Sequence, residues 1–117
     1  MKKNTLILII LISIVVISIS LIYYVRANGN HDETVMQCIA QNSKMIISPT
    51  CGACAYQKNI LKENMEDYEN YFEIISITER PEIGEQYNIR GVPTWIINEQ
   101  TYPGAKSIEQ LKQLTGC

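Results

Sequence analysis

Met45-Ile46-Ile47-Ser48-Pro49-Thr50-Cys51-Gly52-Ala53-Cys54 carries two cysteines three apart, between a short apolar strand and a helical stretch running from Tyr56 to about Tyr68. At the start of a helix the first backbone N–H groups lack partners and the dipole is positive, so a sulfur held there is favoured as the thiolate. Two cysteines in one helical turn can also close a disulfide. The same spacing serves zinc, but a structural zinc site takes four ligands. The chain has one such pair, one histidine (His31) and two scattered cysteines, Cys38 and Cys117. The expectation is therefore a dithiol–disulfide couple at Cys51 and Cys54, with no metal.

The N-terminus bears on the compartment. Thr5 to Val25 is a 21-residue stretch without a charge, long enough as a helix to cross roughly 30 Å of hydrocarbon. Lys2 and Lys3 precede it and only Arg26 directly follows. The positive-inside rule then puts Met1 in the cytoplasm and everything past Arg26 outside it, with Tyr23 and Tyr24 at the outer interface. A cleaved signal peptide is the competing reading, because Val25-Arg26-Ala27 loosely fits a small-residue cleavage site. Secretory apolar regions run about 7–15 residues, shorter than this one, so a retained anchor is favoured. Both readings deliver the remainder to an extracytoplasmic space, where disulfides persist.

Beyond the anchor, residues 28–117 carry seven basic and twelve acidic side chains, so the whole-chain charge of −2 hides an acidic soluble part. Nothing there forms the basic stripe that a phosphate backbone requires, which excludes nucleic-acid binding. The organisation expected is an anchor over 1–26, a polar linker over 27–31 and a single domain over 32–117. A domain of that size has a modest core, to which a cross-link adds materially.

Within the domain, Asp32 is placed to cap a helix from Glu33 to about Asn42, with Val35, Met36 and Ile39 at helical spacing. Lys44 to Ser48 reads as a buried strand, broken by Pro49-Thr50. The helix after the cysteines puts Ile60, Leu61 and Met65 on one side and Lys58, Lys62 and Glu66 towards water. Phe72 to Ile77 is a second strand, and strand–helix–strand makes a parallel unit whose chemistry gathers at the carboxyl ends of the strands, where Cys51 lies. Pro81 to about Tyr87 reads as a short helix with proline at its first position. Thr94 to Asn98 and Gln100 to Tyr102 form a hairpin around Asn98-Glu99. Ser107 with Gln110 is a capping-box pattern opening a last helix, whose apolar face is Ile108, Leu111 and Leu114.

With its cysteine pair at a strand-to-helix junction, Gly91-Val92-Pro93-Thr94 after an intervening helix, and the Trp95-Ile96-Ile97-Asn98 hairpin with its C-terminal helix, the chain resembles the thioredoxin superfamily over roughly residues 33–117. The resemblance implies an α/β thioredoxin-like fold of order α-βαβ-α-ββα, here preceded by one N-terminal transmembrane helix. The run Gly91 to Asn98, then Tyr102, Gly104 and Ser107-Ile108-Glu109-Gln110-Leu111, looks most like the thioredoxin-like domains attached to or partnered with bacterial and archaeal vitamin K epoxide reductase homologues. Pro93 matches the family's cis-proline facing the disulfide, which leaves the Val92 backbone to pair with an extended substrate segment. The alternative is a trans strand-start proline.

The resemblance implies thiol–disulfide exchange at Cys51 and Cys54 with extracytoplasmic cysteine-containing proteins, a vitamin K epoxide reductase-like membrane oxidase as electron partner, and no cofactor in the domain. This chain departs from thioredoxin in having Thr50 and Ala53 where that family has Trp and Pro, and Met45 where it has a buried acid. Disulfide oxidases of the fold often place His beside the second cysteine, and Ala53 cannot make that contact. A less stabilised thiolate means a less oxidising disulfide, so oxidase and reductase directions both stand.

Two rival classes are a redox-inert interaction module of the same fold and a Cu(I)-handling domain, the latter short of a third ligand. Cys38 and Cys117 either form a structural disulfide closing a loop of about 80 residues or remain a buried small hydrophobe and a free thiol. Trp95 reads as packing or surface near the active end rather than a substrate contact, Tyr56, Tyr68, Tyr71 and Tyr87 as margins of the core, His31 as a solvated linker side chain. Arg90 is either a steering charge for acidic substrates or a solvated one.

Overall fold

The computed structural model describes residues 2–117, apart from the side chains of residues 28–31. Met1 and the His31 side chain, both assigned places above, lie outside the described residues. The chain divides into two compact units, Met1–Asp32 and Glu33–Cys117.

The helix α1 covers Lys2–Gln41. Its most apolar 18-residue window has a mean hydropathy of 3.1 and is wholly unburied. This is one helix long and apolar enough to span a membrane. Ser13 and Ser18 return their hydroxyls to the carbonyls of Ile10 and Ile14, at 2.8 Å each, so neither presents a free donor. The backbone is helical through the linker expected at 27–31, and Asp32 lies inside α1 rather than capping a new helix. Asn, Gly and Asp each disfavour a helix interior by only about 1 kcal/mol or less, and no proline interrupts the ladder. At its end, Asn42 Nδ2 donates to the Cys38 carbonyl (2.8 Å) and the Ser43 hydroxyl to that of Ile39 (2.7 Å). These side chains satisfy carbonyls that a helix terminus leaves open.

The second unit is built on a four-stranded sheet of order β2-β1-β3-β4. The strands are β1 (Lys44–Ile47), β2 (Glu73–Ser76), β3 (Thr94–Ile97) and β4 (Gln100–Pro103). β1 runs parallel to β2 and antiparallel to β3, which pairs antiparallel with β4. The end of α1 and three further helices complete it: α2 (Gly52–Asn64), α3 (Pro81–Gln86) and α4 (Ile108–Thr115), with a 3₁₀ turn over Tyr68–Asn70. This is the expected α-βαβ-α-ββα order. α2 starts and stops earlier than the sequence reading had it. Cys51 itself caps it, and at its end Asn64 Nδ2 takes the Ile60 carbonyl (2.9 Å) while Met65 turns extended into the core.

Successive strand residues point to opposite faces, so the continuous apolar runs of β1 and β3 feed two cores. Met45, Ile47, Trp95 and Ile97 join Met36 and Ile39 of α1, Leu61 of α2 and Leu111 of α4 on one face. Ile46, Ile75 and Ile96 meet Ile83 of α3 on the other. Phe72 stands edge-on to Trp95, ring centroids 6.1 Å apart. The β3–β4 turn puts Asn98 and Glu99 at φ of 51° and 62°. Two positive φ values in a two-residue hairpin match the twist of the strands. Ser107 and Gln110 form the capping box of α4, at 3.2 and 2.9 Å.

The tyrosines divide. Tyr68 is buried and Tyr87 half-buried, but Tyr56 and Tyr71 are exposed and do not line the core. The buried stripe of α2 is Cys54, Gln57 and Leu61. At about 100° per residue this turns Tyr56 away from the sheet.

Candidate active site

Ile47 ends β1 and Cys51 opens α2 four residues later, so the cysteine pair sits at the carboxyl end of a strand and the amino end of a helix. Cys51 is the N-cap, with extended backbone (φ −108°, ψ 113°). Its sulfur takes the place a Ser or Asp oxygen holds in other caps, accepting the Cys54 N–H at 3.0 Å. Cys51 is half-buried, whereas Cys54 is only 2% exposed. The two Cα atoms are 5.2 Å apart and the sulfurs lie at disulfide distance. The first residue of the pair thus keeps part of its surface in solvent and its sulfur accepts a helix N–H, while the second is buried.

Facing this pair is the Gly91-Val92-Pro93-Thr94 loop, whose Val92–Pro93 bond is cis. The Val92 carbonyl oxygen lies 3.5 Å from Cys51 Sγ. Thr94 closes the loop by donating its hydroxyl to the Gly91 carbonyl (2.6 Å), and Gly104 N–H ties the Pro93 carbonyl to the edge strand (2.8 Å). Gly52 and Gly91 are exposed, with nothing within 4 Å of where a Cβ would stand. The approach to Cys51 is therefore open.

Behind the site Met45 is fully buried and apolar, and no charged side chain is buried in the second unit among the described residues. The polar group the sequence reading missed is Gln57. It is 0% exposed, and Oε1 accepts both the Trp95 indole N–H (3.0 Å) and the Lys106 backbone N–H (2.6 Å). Its Nε2 donates to the Lys106 carbonyl (2.9 Å). One turn beyond Cys54 on the same face, Gln57 fastens the cysteine-bearing turn to β3 and to the segment entering α4. The available signal was its spacing, since residues 54, 57 and 61 share one stripe.

Cys38 and Cys117 are also brought together, with Cα atoms 6.0 Å apart and sulfurs at disulfide distance. The Asn42 amide approaches the two sulfurs at 3.9 and 4.0 Å. Trp95 is packing, fully buried. Among the described residues no group of three or more His, Cys, Asp or Glu side chains is arranged to hold a metal ion.

A search of curated proteins found no match. Among solved structures, a protein disulfide oxidoreductase from Aeropyrum pernix shares 20% identity over 70% of this chain, with a TM-score of 0.50. The present chain spans 41% of that protein's length, and the likeness is one of fold. The N-terminal domain of the alkylhydroperoxide reductase AhpF from Enterococcus faecalis matches 69% of the chain at 19% identity, over 42% of its own length, with a TM-score of 0.46. Oxidised thioredoxin from Plasmodium falciparum matches 74% at 26% identity, over 88% of its own length, with a TM-score of 0.45. The family model of the thioredoxin domain matches residues 42–115, well over half of the chain and the whole of the site described above, so this protein belongs to the thioredoxin domain family.

Proposed function

We propose that the chain is a membrane-anchored thiol–disulfide oxidoreductase whose soluble unit exchanges disulfides with cysteine-containing proteins outside the cytoplasm. The observation that carries this is the asymmetry of the pair: Cys51 is half-buried, its Sγ held by the Cys54 N–H at 3.0 Å and set against the Val92 carbonyl, while Cys54 is only 2% exposed. As an oxidase, a substrate thiolate attacks Cys51 Sγ, the Cys51–Cys54 bond breaks and Cys54 leaves as thiolate. A second substrate thiolate then displaces Cys51, leaving an oxidised substrate and a reduced pair. As a reductase the electrons run the other way: Cys51 thiolate attacks a substrate disulfide and Cys54 thiolate resolves the mixed disulfide.

Val92 and Pro93 shape the seat of an extended substrate segment beside Cys51. The apolar run of α1 and the lysines before it support a single span with the soluble unit outside. A quinone-linked membrane oxidase of the vitamin K epoxide reductase type is the electron partner this reading assigns, returning Cys51 and Cys54 to the disulfide after each oxidation.

The test is trapping. With Cys54→Ser the mixed disulfide has no internal resolving thiol, so extracytoplasmic proteins accumulate on Cys51 as adducts released by reductant, and Cys51→Ser traps almost none. A Cys54→Ser protein without adducts, together with a wild type that neither oxidises nor reduces a model peptide, would replace this reading with a redox-inert module.

A further inference from the structure

Most cations of the soluble unit are engaged. Lys44 pairs with Glu73 (3.4 Å), Arg80 with Glu82 (2.9 Å) and Lys112 with Glu109 (3.4 Å). The Lys106 ammonium donates to the carbonyls of Pro103 and Gly104. Three remain without a partner among the described residues: Lys58, Lys62 and Arg90. All three belong to the two segments that make the redox site, α2 and the loop leading to Pro93.

Two of them line a groove. Cys51, Ala55, Lys58 and Lys62 follow one another at steps of four, three and four, which is one face of a helix. An open groove of about 340 Å³ runs along that face from Ala55 past Lys58 and Lys62 to Glu66 and Glu69. Its sign changes along its length, with the cations on the side towards the cysteine and the carboxylates at the far end. There the Tyr68 hydroxyl donates to Glu69 at 3.2 Å.

We infer that this groove receives the polypeptide flanking the substrate cysteine, and that it selects segments with carboxylates on that flank. The inference rests on the exchange reading of Cys51 and adds the substrate class. Helix geometry sets the spacing. Lys58 and Lys62 stand about 10 and 16 Å along α2 from Cys51 at a rise of about 1.5 Å per residue. An extended segment advances about 3.3 Å per residue, so the matching Asp or Glu lie about three and about five residues from the reacting cysteine. Arg90 serves the other side, two residues from the Val92 carbonyl that faces Cys51. The unit as a whole is acidic, but screening over about 8 Å at physiological salt leaves a bound segment governed by the charges nearest to it.

The experiment uses the full chain in detergent, oxidised, with three cysteine peptides of equal length carrying Glu, Ser or Lys three and five residues from the cysteine. Each second-order oxidation rate is normalised to the same peptide's rate against hydroxyethyl disulfide, a neutral oxidant, which removes differences in thiol acidity. The Glu peptide should react about tenfold faster than the Lys peptide at 20 mM salt, the gap closing to about twofold at 0.5 M. Lys58→Glu with Lys62→Glu should invert the order, whereas Lys44→Glu with Lys112→Glu, of the same net charge but off the groove, should keep it. Equal rates for the Glu and Lys peptides, or the same inversion by both double variants, would overturn the inference while leaving the exchange reading in place. A wild type that neither oxidises these peptides nor reduces their disulfides would overturn both.

Discussion

At position 57 an amide sealed from water makes three hydrogen bonds, to the Trp95 indole and to both backbone groups of Lys106. Such a group is costly to disturb because its partners have nowhere else to turn. Gln57→Leu keeps the volume and removes every bond, leaving an indole N–H and a peptide unit unsatisfied at about 1–3 kcal/mol per group. A loss of about 2–4 kcal/mol is expected, a large part of the stability of a small domain. Urea denaturation checks it through a lower midpoint at unchanged slope. A change below about 0.5 kcal/mol would mean that solvent replaces the amide. The cysteines are the opposite case at this scale, because their spacing alone announces the chemistry. Gln57 is silent in sequence because whether a polar residue on an apolar stripe is buried depends on Trp95 and Lys106, each about 40 or more positions away.

Among the elements, the β3–β4 hairpin carries the clearest mismatch between residue and conformation. Glu99 adopts φ 62°, where an L side chain crowds its own backbone at a cost of about 1–2 kcal/mol. Glycine is free of that cost but loses more entropy on folding, about 0.5–1 kcal/mol. Glu99→Gly should therefore stabilise by up to about 1 kcal/mol, a rise of a few degrees in Tm by calorimetry. A fall in Tm would show that the Glu99 side chain makes up for its backbone. α3 shows a milder electrostatic effect at its start. The Arg80 guanidinium bonded to the Glu82 carboxylate, helped by a backbone hydrogen bond, holds that carboxyl below its usual range. A depressed folded value means the contribution is present at neutral pH and disappears as pH falls through it.

For the whole molecule, the pairing of Cys38 with Cys117 joins α1 to the residue after α4 across 79 positions. As a structural disulfide it would limit the unfolded chain, and removing a native bridge costs about 2–5 kcal/mol in small secreted domains. The Cys38→Ala/Cys117→Ala protein should lose about that much stability while still exchanging disulfides at Cys51. Peptide mapping of the oxidised wild type should recover the two segments linked, and finding both thiols free would sink the staple. Topology is tested on the same scale. Protease added to intact protoplasts should remove the soluble unit, and digestion seen only after lysis would reverse the proposed orientation.

The features legible from the residues alone are local. The strand–CxxC–helix junction, the proline-led α3, the Ser107 capping box and a 21-residue uncharged run are all written in neighbouring residues, because period, capping and length act over a turn or two. Even the cis bond at Val92–Pro93 was anticipated only because Gly91 to Thr94 resembles a known loop. Other features became visible only in the folded chain. It continued α1 through residues expected to be a linker, since weak helix breakers do not stop a ladder that no proline interrupts. It turned Tyr56 and Tyr71 to water, buried Gln57, brought Cys38 to Cys117, and set the Val92 carbonyl against Cys51. The last three join residues far apart in sequence, and no local propensity specifies which of them will meet.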